Sequence, residues 1–478
     1  MSYLRPLPLA AALLLSACAV GPNYVAAPPP PETAAGDFAG AATPLVSDAA
    51  ASDHWWQLYR DPVLDGLIAD ALKANTDIRV AIANLEKVQA NLRETRSDRL
   101  PSANISASPG YGRLPESQRP NGAKREDWQV DVGVDVAYEV DLFGRVKRNI
   151  EAARGDVAAA AGDADAVRVS VVAQTVGAYT DAAASAERLG VAQHVVELLD
   201  QSVTLTTKRF EAGRATRLDV ARIAALRDQR RALVPQLMAQ RQAALFRLAT
   251  LTGRAPQQLP AAAAERTTTP RLDQPIPVGD GAALLARRPD VRAAERRLAA
   301  STARIGVATA DLYPRITLGG SAGSSGFGFS DLFGGGPLRW LLGPLISWSF
   351  PNQEAARGRI DAAKADSLAA LADFDGTVLR ALEETETALS NYARELDRRE
   401  ALKSARDEAG TAVRITGARQ REGTIDFLEL LDTERTFADA EADLAAADAR
   451  IAAAQVDLFR ALGGGWRQAD AAASVAAR

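Results

Sequence analysis

Cys18 is the side chain best placed for a specific chemical modification, because it is the only cysteine among 478 residues. It follows Leu15, Ser16 and Ala17 at the end of a short apolar run. Small residues directly before a cysteine match the cleavage box of bacterial lipoproteins, so we predict a signal peptide over residues 1–17 and a lipid on Cys18. A buried, unmodified cysteine is the alternative. One acylated residue would anchor the chain to a membrane without spanning it.

Residues suited to catalysis or ligand binding are otherwise scarce. The two histidines, His54 and His194, lie beside neither a carboxylate cluster nor the cysteine, so we expect no metal site, no cofactor and no enzymatic activity. The glycine-rich stretch at 324–339 matches no phosphate-binding loop. Without residues 1–17 the chain has 55 basic and 60 acidic side chains, since Arg5 is the only charge removed. This slightly acidic balance argues against nucleic acid as a partner.

A long alternation of apolar and polar residues runs through 127–145, where every even position from Trp128 to Leu142 is apolar or aromatic. This is the period of a strand with one apolar face, and it exceeds the usual strand length in soluble proteins. A strand that crosses a bilayer shows the same pattern over about 9 to 11 residues. We therefore predict an outer-membrane strand, with a long strand of a soluble sandwich as the alternative. No later stretch approaches the roughly 18 apolar residues of a transmembrane helix.

The second half of the chain repeats the first. Segments 77–101 and 290–314 share motifs at the same spacing, and so do 150–213 and 360–423. Each copy is predicted to contain a helix, a strand pair, a long helix, a turn and a helix, so we expect one duplicated unit. The predicted organisation is a signal peptide at 1–17, a lipidated tether at 18–53, repeats at 54–252 and 282–466, a linker at 253–281 and a tail at 467–478.

The helices are unusually long. The helix predicted at 150–212 has 63 residues, or roughly 95 Å at 1.5 Å per residue. Helices 77–99 and 214–252 together nearly match that length, so two shorter helices stacked end to end would run beside one long helix. The second copy offers 290–312 and 424–462 for the same arrangement. Leucines at heptad spacing in the second copy favour coiled-coil packing, and Pro235 should kink its helix.

The strands of the second copy are predicted at 315–323 and 340–350. Four strands cannot close a barrel, and open edges are not tolerated in lipid. Several chains must therefore contribute strands. Two chains would give eight strands around a filled interior, whereas three would give twelve and room for an open lumen.

Together these features resemble the TolC-like outer membrane efflux protein family, in its lipoprotein branch of partners to tripartite RND-type pumps. The residues that carry the resemblance are Cys-Ala-Val-Gly-Pro-Asn-Tyr at 18–24, Trp55-Trp56 with Asp61-Pro62, Asp-Leu-Phe-Gly-Arg at 141–145, 423–432 and 461–466. The resemblance covers essentially the whole mature chain. It implies a homotrimer with a twelve-stranded β-barrel in the outer membrane. It also implies an α-barrel tunnel of antiparallel coiled-coil helices that crosses the periplasm to an adaptor and an inner-membrane pump.

The resemblance further implies a periplasmic aperture after the second glycine turn. Glu429 and Asp432 match acidic positions of the family, and their i, i+3 spacing places them on one helix face. Three copies would form a ring of like charges that favours cations. Gly213 and Gly423 would make the turns where adaptor hairpins dock, with Asp219 beside the first turn.

Two alternatives remain at this point. Residues 216–219 and 426–429 also have the spacing of helix capping boxes, which would give their carboxylates a structural role. A periplasmic lipoprotein adaptor or a structural coiled-coil protein would likewise contain long helices, but an adaptor has one hairpin and not two copies of strand pair plus long helices. We expect a passive duct, lipid-anchored in the outer membrane and spanning it, with a helical domain in the periplasm.

Overall fold

The computed structural model describes residues 19–26, 36, 38, 40, 46–47, 49, 52–113, 115–116, 124–272, 274–327, 338–425 and 427–464. They fall into two compact units. Unit 1 comprises the described residues within 1–27, 84–161 and 293–375, and unit 2 those within 28–83, 162–292 and 376–478. Each unit therefore takes residues from both halves of the chain.

Helices account for most of the described residues. In chain order they are α1 (Pro62–Ala74), α2 (Thr76–Ser97), α3 (Arg145–Glu211), α4 (Arg217–Arg231), α5 (Leu233–Leu251), α6 (Ala262–Glu265), α7 (Gly281–Arg287), α8 (Pro289–Ala310), α9 (Glu354–Arg421) and α10 (Phe427–Ala461). The two long helices, α3 and α9, have 67 and 68 residues. None of the helices within the described ranges is both long and apolar enough to cross a bilayer.

Helix α3 begins five residues before the predicted start because Asp141 caps it. The carboxylate of Asp141 accepts the backbone N–H groups of Val146 at 3.0 Å and Lys147 at 2.8 Å, which satisfies donors that a helix start leaves open. The same residue thus ends the strand before it. The alternation predicted to run to residue 145 is strand only as far as Val140.

The helix predicted over 214–252 is broken into α4 and α5 at Ala232. Pro235 lies in the first turn of α5. A proline ring clashes with the carbonyl four residues earlier, which here belongs to Arg231, the last residue of α4. The predicted kink is therefore confirmed, and the structure places it just before the proline.

The strands are β1 (Val46–Ser47), β2 (Ser102–Arg113), β3 (Glu126–Val140), β4 (Ile276–Pro277), β5 (Arg315–Phe327) and β6 (Leu338–Ser347). Unit 1 contains a four-stranded antiparallel sheet in the order β2-β3-β5-β6. Strand β5 runs four residues beyond the predicted end, and β6 begins and ends earlier than the predicted 340–350. Trp348 directly follows β6, and its indole N–H donates to the carbonyl of Leu312 at 3.1 Å.

The register gives this sheet two different faces, because directly paired residues share a face. On one face Val134 is opposite Ile105 and Ala322, and Ala322 is opposite Trp340. On the other face Asp135 is opposite Asn104 and Ser321. We call them the apolar face and the polar face. Leu341 and Leu345 of the edge strand β6 also lie on the polar face.

The largest buried cluster lies in unit 2, where Trp55 stacks on Phe459 with ring centroids 4.5 Å apart. Beside it, Asp61 begins α1 by accepting the N–H groups of Val63 and Leu64. The same carboxylate accepts the hydroxyl of Tyr179 at 2.7 Å and a guanidinium N–H of Arg266 at 2.7 Å. Burial alone would raise the pKa of Asp61, but these hydrogen bonds and the Arg266 charge outweigh it and hold the pKa below its usual range.

Candidate functional sites: the glycine turns and the sheet

Both long helices end in the same kind of turn, as the sequence predicts. Gly213 follows α3 with φ +69°, and Gly423 follows α9 with φ +74°. In the first turn the N–H of Arg214 donates to the carbonyl of Arg209 at 2.7 Å, and in the second that of Thr424 donates to Arg419 at 3.0 Å. This bond pattern with a left-handed residue is a Schellman cap, which glycine makes at the least steric cost.

The fold brings the two turns together in unit 2. The guanidinium of Arg209 donates to the carbonyl of Gln420 at 3.5 Å, three residues before Gly423. Beyond the turns, Arg230 of α4 pairs with Asp439 of α10 at 2.7 Å. An apolar cluster joins α3, α4 and α10 and consists of Val195, Leu199, Val203, Ile223, Leu226, Leu431 and Ala438. The turn regions of both halves therefore form one surface.

Each turn exposes a leucine at the same offset from its glycine. Leu218 follows Gly213 by five residues and is 56% exposed, and Leu428 follows Gly423 by five residues and is 45% exposed. Each turn region therefore carries exposed apolar surface at the same position relative to its glycine. The sequence motifs identify the glycines but not the leucines. The leucines become recognisable as a pair only when the two halves are aligned on Gly213 and Gly423.

Asp219 forms the helix capping box that residues 216–219 offered as an alternative to a functional role. Its carboxylate accepts the backbone N–H and the hydroxyl of Thr216, and the Thr216 hydroxyl accepts the N–H of Asp219. The backbone N–H of Thr216, followed by its hydroxyl, holds the pKa of Asp219 below its usual range. In the second half Asp426 matches Thr216 and Glu429 matches Asp219. Asp426 lies outside the described residues, so that second box is not described.

Glu429 and Asp432 lie at the start of α10, and both side chains are exposed. The carboxylate of Asp432 is 69% exposed and lies 3.1 Å from the guanidinium of Arg435, one helical turn away. Neither carboxylate is buried against another part of this chain. The geometry is consistent with an acidic surface that faces water, with Arg435 beside one of its two charges.

Glu434 lies in the same region, and the sequence analysis did not predict it as a site residue. Its carboxylate accepts the hydroxyl of Ser202 on α3 at 2.9 Å, next to the apolar cluster that includes Leu431, Val203 and Ala438. Burial raises the pKa of Glu434, and the Ser202 hydrogen bond offsets only part of that effect. The sequence offers little signal for this contact, because it depends on how α3 and α10 pack.

The sheet of unit 1 exposes most of the side chains on the apolar face that the alternation predicted, although Val130 is buried. Its apolar face includes exposed Ile105, Tyr111, Trp128, Val132, Val134, Val136, Tyr138, Leu318, Trp340, Leu342 and Ile346. The polar face carries Asp131, whose carboxylate lies 2.8 Å from the guanidinium of Arg339. Within the described residues, the outer edges of β2 and β6 pair with no other strand. This sheet therefore has an apolar side and two free edges to cover.

The predicted lipid acceptor, Cys18, lies outside the described residues. The next residue, Ala19, packs against Gly144, and the N–H of Val20 donates to the carbonyl of Phe143 at 3.1 Å. The Phe143 ring stacks on Tyr313 with centroids 4.5 Å apart. Ala19 and Val20 thus lie just beyond the end of β3 and contact Gly144 and the backbone of Phe143.

Comparison with known proteins gives consistent matches. The sequence profile of the family described as Outer membrane efflux protein matches residues 67–254 and 282–464. The chain is 33% identical to Outer membrane protein OprJ of Pseudomonas aeruginosa over 462 residues, which cover 95% of this chain and 94% of that protein.

Solved structures show the same likeness. The outer-membrane channel OprN has a TM-score of 0.86 and 37% identity, covering 94% of this chain and 100% of that one. The open state of the Neisseria gonorrhoeae MtrE outer membrane channel has a TM-score of 0.81 and 28% identity, covering 94% of this chain and 99% of that one. In each comparison the similarity covers nearly the full length of both proteins.

Proposed function

The chain belongs to the outer membrane efflux protein family, and from this membership we propose that it works as the homotrimeric outer-membrane duct of a tripartite pump. As a member of the family it is an efflux channel of the outer membrane and not an enzyme. The alternatives of a periplasmic adaptor or a structural coiled-coil protein find no support in these relatives. The finer proposals concern the trimer, the lipid anchor, the aperture and the partners.

The observation that carries assembly from several copies is the open four-stranded sheet. Its apolar face is exposed and its outer edges are free within the described residues. Because the order is β2-β3-β5-β6 with every neighbour antiparallel, β2 and β6 run in opposite directions. Strand β6 of one copy can therefore pair antiparallel with β2 of the next. Three copies close a twelve-stranded barrel, lipid covers the apolar face, and the polar face lines the lumen.

The lipid anchor is supported by the position of Ala19, which directly follows Cys18. Ala19 packs against Gly144, and the next residue, Val20, donates its N–H to the carbonyl of Phe143, whose ring stacks on Tyr313. Aromatic rings concentrate at the boundary between membrane and water, and this pair lies where the strands end. A lipid on Cys18 would enter the membrane at the same level, after removal of residues 1–17, with residues 18–53 as tether.

The glycine turns are the proposed docking surface for the adaptor, which joins the duct to the inner-membrane pump. Leu218 and Leu428 supply the exposed apolar contacts, and Gly213 and Gly423 keep the turns narrow. Asp219 supports this surface by capping α4. Glu429 and Asp432, in three copies, form the acidic ring of the periplasmic aperture, through which cargo passes without being chemically changed.

The repeats at 54–252 and 282–466, with the linker at 253–281 and the tail at 467–478, remain our proposed division of the chain. Native mass spectrometry of the detergent-purified protein tests the assembly and the anchor together. We expect the mass of three chains, each with a lipid adduct that the Cys18→Ser variant lacks. A monomer or dimer would overturn the trimer, and an unmodified Cys18 would overturn the anchor.

A further inference from the structure

The segment that follows the cysteine carries a motif that the duct function leaves unexplained, Ala-Val-Gly-Pro-Asn-Tyr at 19–24. We infer that these residues form a strap that fixes the lipid-bearing end of the chain to the strand–helix junction of unit 1, so that lipid and sheet enter the membrane as one rigid surface. This role rests on the proposed function, that is, on lipid attached to Cys18 and on insertion of the sheet.

Arg148, in the first turn of α3, makes most of the hydrogen bonds that hold the strap. Its side chain is only 4% exposed. The guanidinium donates to the carbonyls of Val20 at 3.2 Å and Gly21 at 3.4 Å, and to the side-chain oxygen of Asn23 at 2.7 Å. Glu151 lies 2.8 Å away and balances the charge. A buried arginine that donates three hydrogen bonds to one short segment fixes that segment in position.

The backbones also approach each other too closely for side chains. Gly21 has φ +86°, and a Cβ placed on it would lie 2.5 Å from the Cα of Gly306 in α8. A Cβ placed on Gly306 would lie 2.8 Å from the Cγ of Arg148. Both distances are below van der Waals contact, so glycine at each position is what allows the strap to lie between α3 and α8.

The two ends of the strap are attached as well. At its start, the N–H of Val20 donates to the carbonyl of Phe143. At its end, the hydroxyl of Tyr24 donates to Glu295 of α8 at 2.9 Å. The first residue of the strap, Ala19, is therefore held against Gly144 at the end of β3. A membrane anchor held there keeps the apolar face of the sheet near the bilayer, which raises the effective concentration of the sheet at the membrane.

The test combines variants that loosen the strap with matched controls. Arg148→Ala and Asn23→Ala remove its hydrogen bonds, and Arg154→Ala alters an exposed arginine of the same helix. A Gly-Ser-Gly-Ser insertion between residues 19 and 20 lengthens the path from the lipid to Val20, where the hydrogen bonds of the strap begin, by up to about 14 Å. The same insertion between residues 34 and 35 lies after the strap. Full-length protein is followed by hydrogen exchange of the 19–26 peptide, lipid mass on Cys18, and recovery of heat-resistant oligomer from outer membranes.

We expect exchange at 19–26 to rise about tenfold in Arg148→Ala and less in Asn23→Ala, as for the loss of buried hydrogen bonds. Oligomer recovery should fall several-fold in Arg148→Ala and in the insertion at 19, with normal lipid mass, while both controls match wild type.

An exchange rate at 19–26 in Arg148→Ala that equals the wild-type rate would overturn the strap. Normal recovery from the insertion at 19 would overturn its role in membrane insertion. An unmodified Cys18 in wild type would instead overturn the lipid anchor, and exchange would still decide whether the strap exists.

Discussion

Ile105 and Val134 face each other directly across β2 and β3, and 75% and 39% of these side chains are exposed. The adjacent pair, Asn104 and Asp135, lies on the opposite face of the same two strands. A soluble protein buries such an apolar row, because leaving it in water costs roughly 25 cal/mol for each Å². This sheet leaves most of the row exposed, from Val132 to Tyr138 on β3. That is the arrangement of strands with lipid on one side and water on the other.

Placing an arginine on each face of the sheet in turn tests that arrangement. Val134→Arg places a charge on the lipid side and should destabilise the inserted barrel by about 2–4 kcal/mol per chain if the residue lies near mid-membrane. Asp135→Arg places the same side chain on the lumen side and should leave assembly intact. The readout is the fraction of heat-modifiable oligomer in outer membranes. Equal recovery of the two variants would contradict the assignment of faces.

Glu434 gives a pH dependence with a defined sign. Its pKa is raised by burial, so between the ordinary glutamate pKa and the raised value the folded state binds more protons than the unfolded state. Stability therefore falls as pH rises through that window. Glu434→Gln removes the ionisation and should flatten this part of the curve.

Thermal unfolding of the detergent-solubilised protein between pH 4 and pH 8, referenced to wild type, measures the effect. The exposed Asp443 on the same helix supplies a control, and Asp443→Asn should keep the wild-type slope. A Glu434→Gln variant with the wild-type slope would show that burial does not raise the pKa of this carboxyl in the folded protein.

The Asp61 network should show the opposite pH behaviour. The pKa of Asp61 is held low in the folded state, so its contribution is present above the ordinary aspartate pKa and is lost as pH falls through the lowered value. Asp61→Asn leaves Arg266 without its carboxylate and should cost about 2–3 kcal/mol, less than a fully buried pair because Arg266 keeps some contact with water. Tyr179→Phe removes one hydrogen bond and should cost about 1 kcal/mol. Thermal unfolding at neutral pH would contradict the network if both variants unfold at the wild-type temperature.

The leucines of the glycine turns should affect partner binding without affecting the channel. Leu218→Ser and Leu428→Ser together remove the exposed apolar contacts, so the affinity for the purified adaptor should fall at least tenfold while the oligomer forms normally. Leu379→Ser changes a leucine of α9 that is 66% exposed and lies far along the chain from both glycine turns, so it serves as the control. Adaptor binding by biolayer interferometry that is unchanged in the double variant would place the docking surface elsewhere.

Local patterns predicted much of this fold. The period of two in 127–145 located β3, and the glycines at 213 and 423 located both turns, because these features depend on residues close in sequence. The limits of the elements were less predictable. Asp141 fits the alternation of β3, but in the structure it caps α3. Because the sequence allows both roles, it does not show where β3 ends and α3 begins.

The missed residues share a different property. Arg148 contacts residues more than 120 positions earlier in the chain, and Glu434 contacts Ser202 across 232 positions. In the sequence each is an ordinary charged residue in a helix. Their roles come from packing between distant elements, which periodicity does not encode. The glycines at 21 and 306 are comparable, since each becomes necessary only where two backbones meet.

Single-channel conductance in planar bilayers tests the central claim, a trimeric duct that narrows at an acidic ring, most directly. The comparison is between wild type, the double variant Glu429→Gln with Asp432→Asn, and Asp219→Asn, which alters the first-half counterpart of Glu429. We predict a cation-selective channel in wild type, a clear loss of cation selectivity in the double variant, and wild-type selectivity in Asp219→Asn. A wild-type protein that forms no channel, or an anion-selective one, would contradict the account.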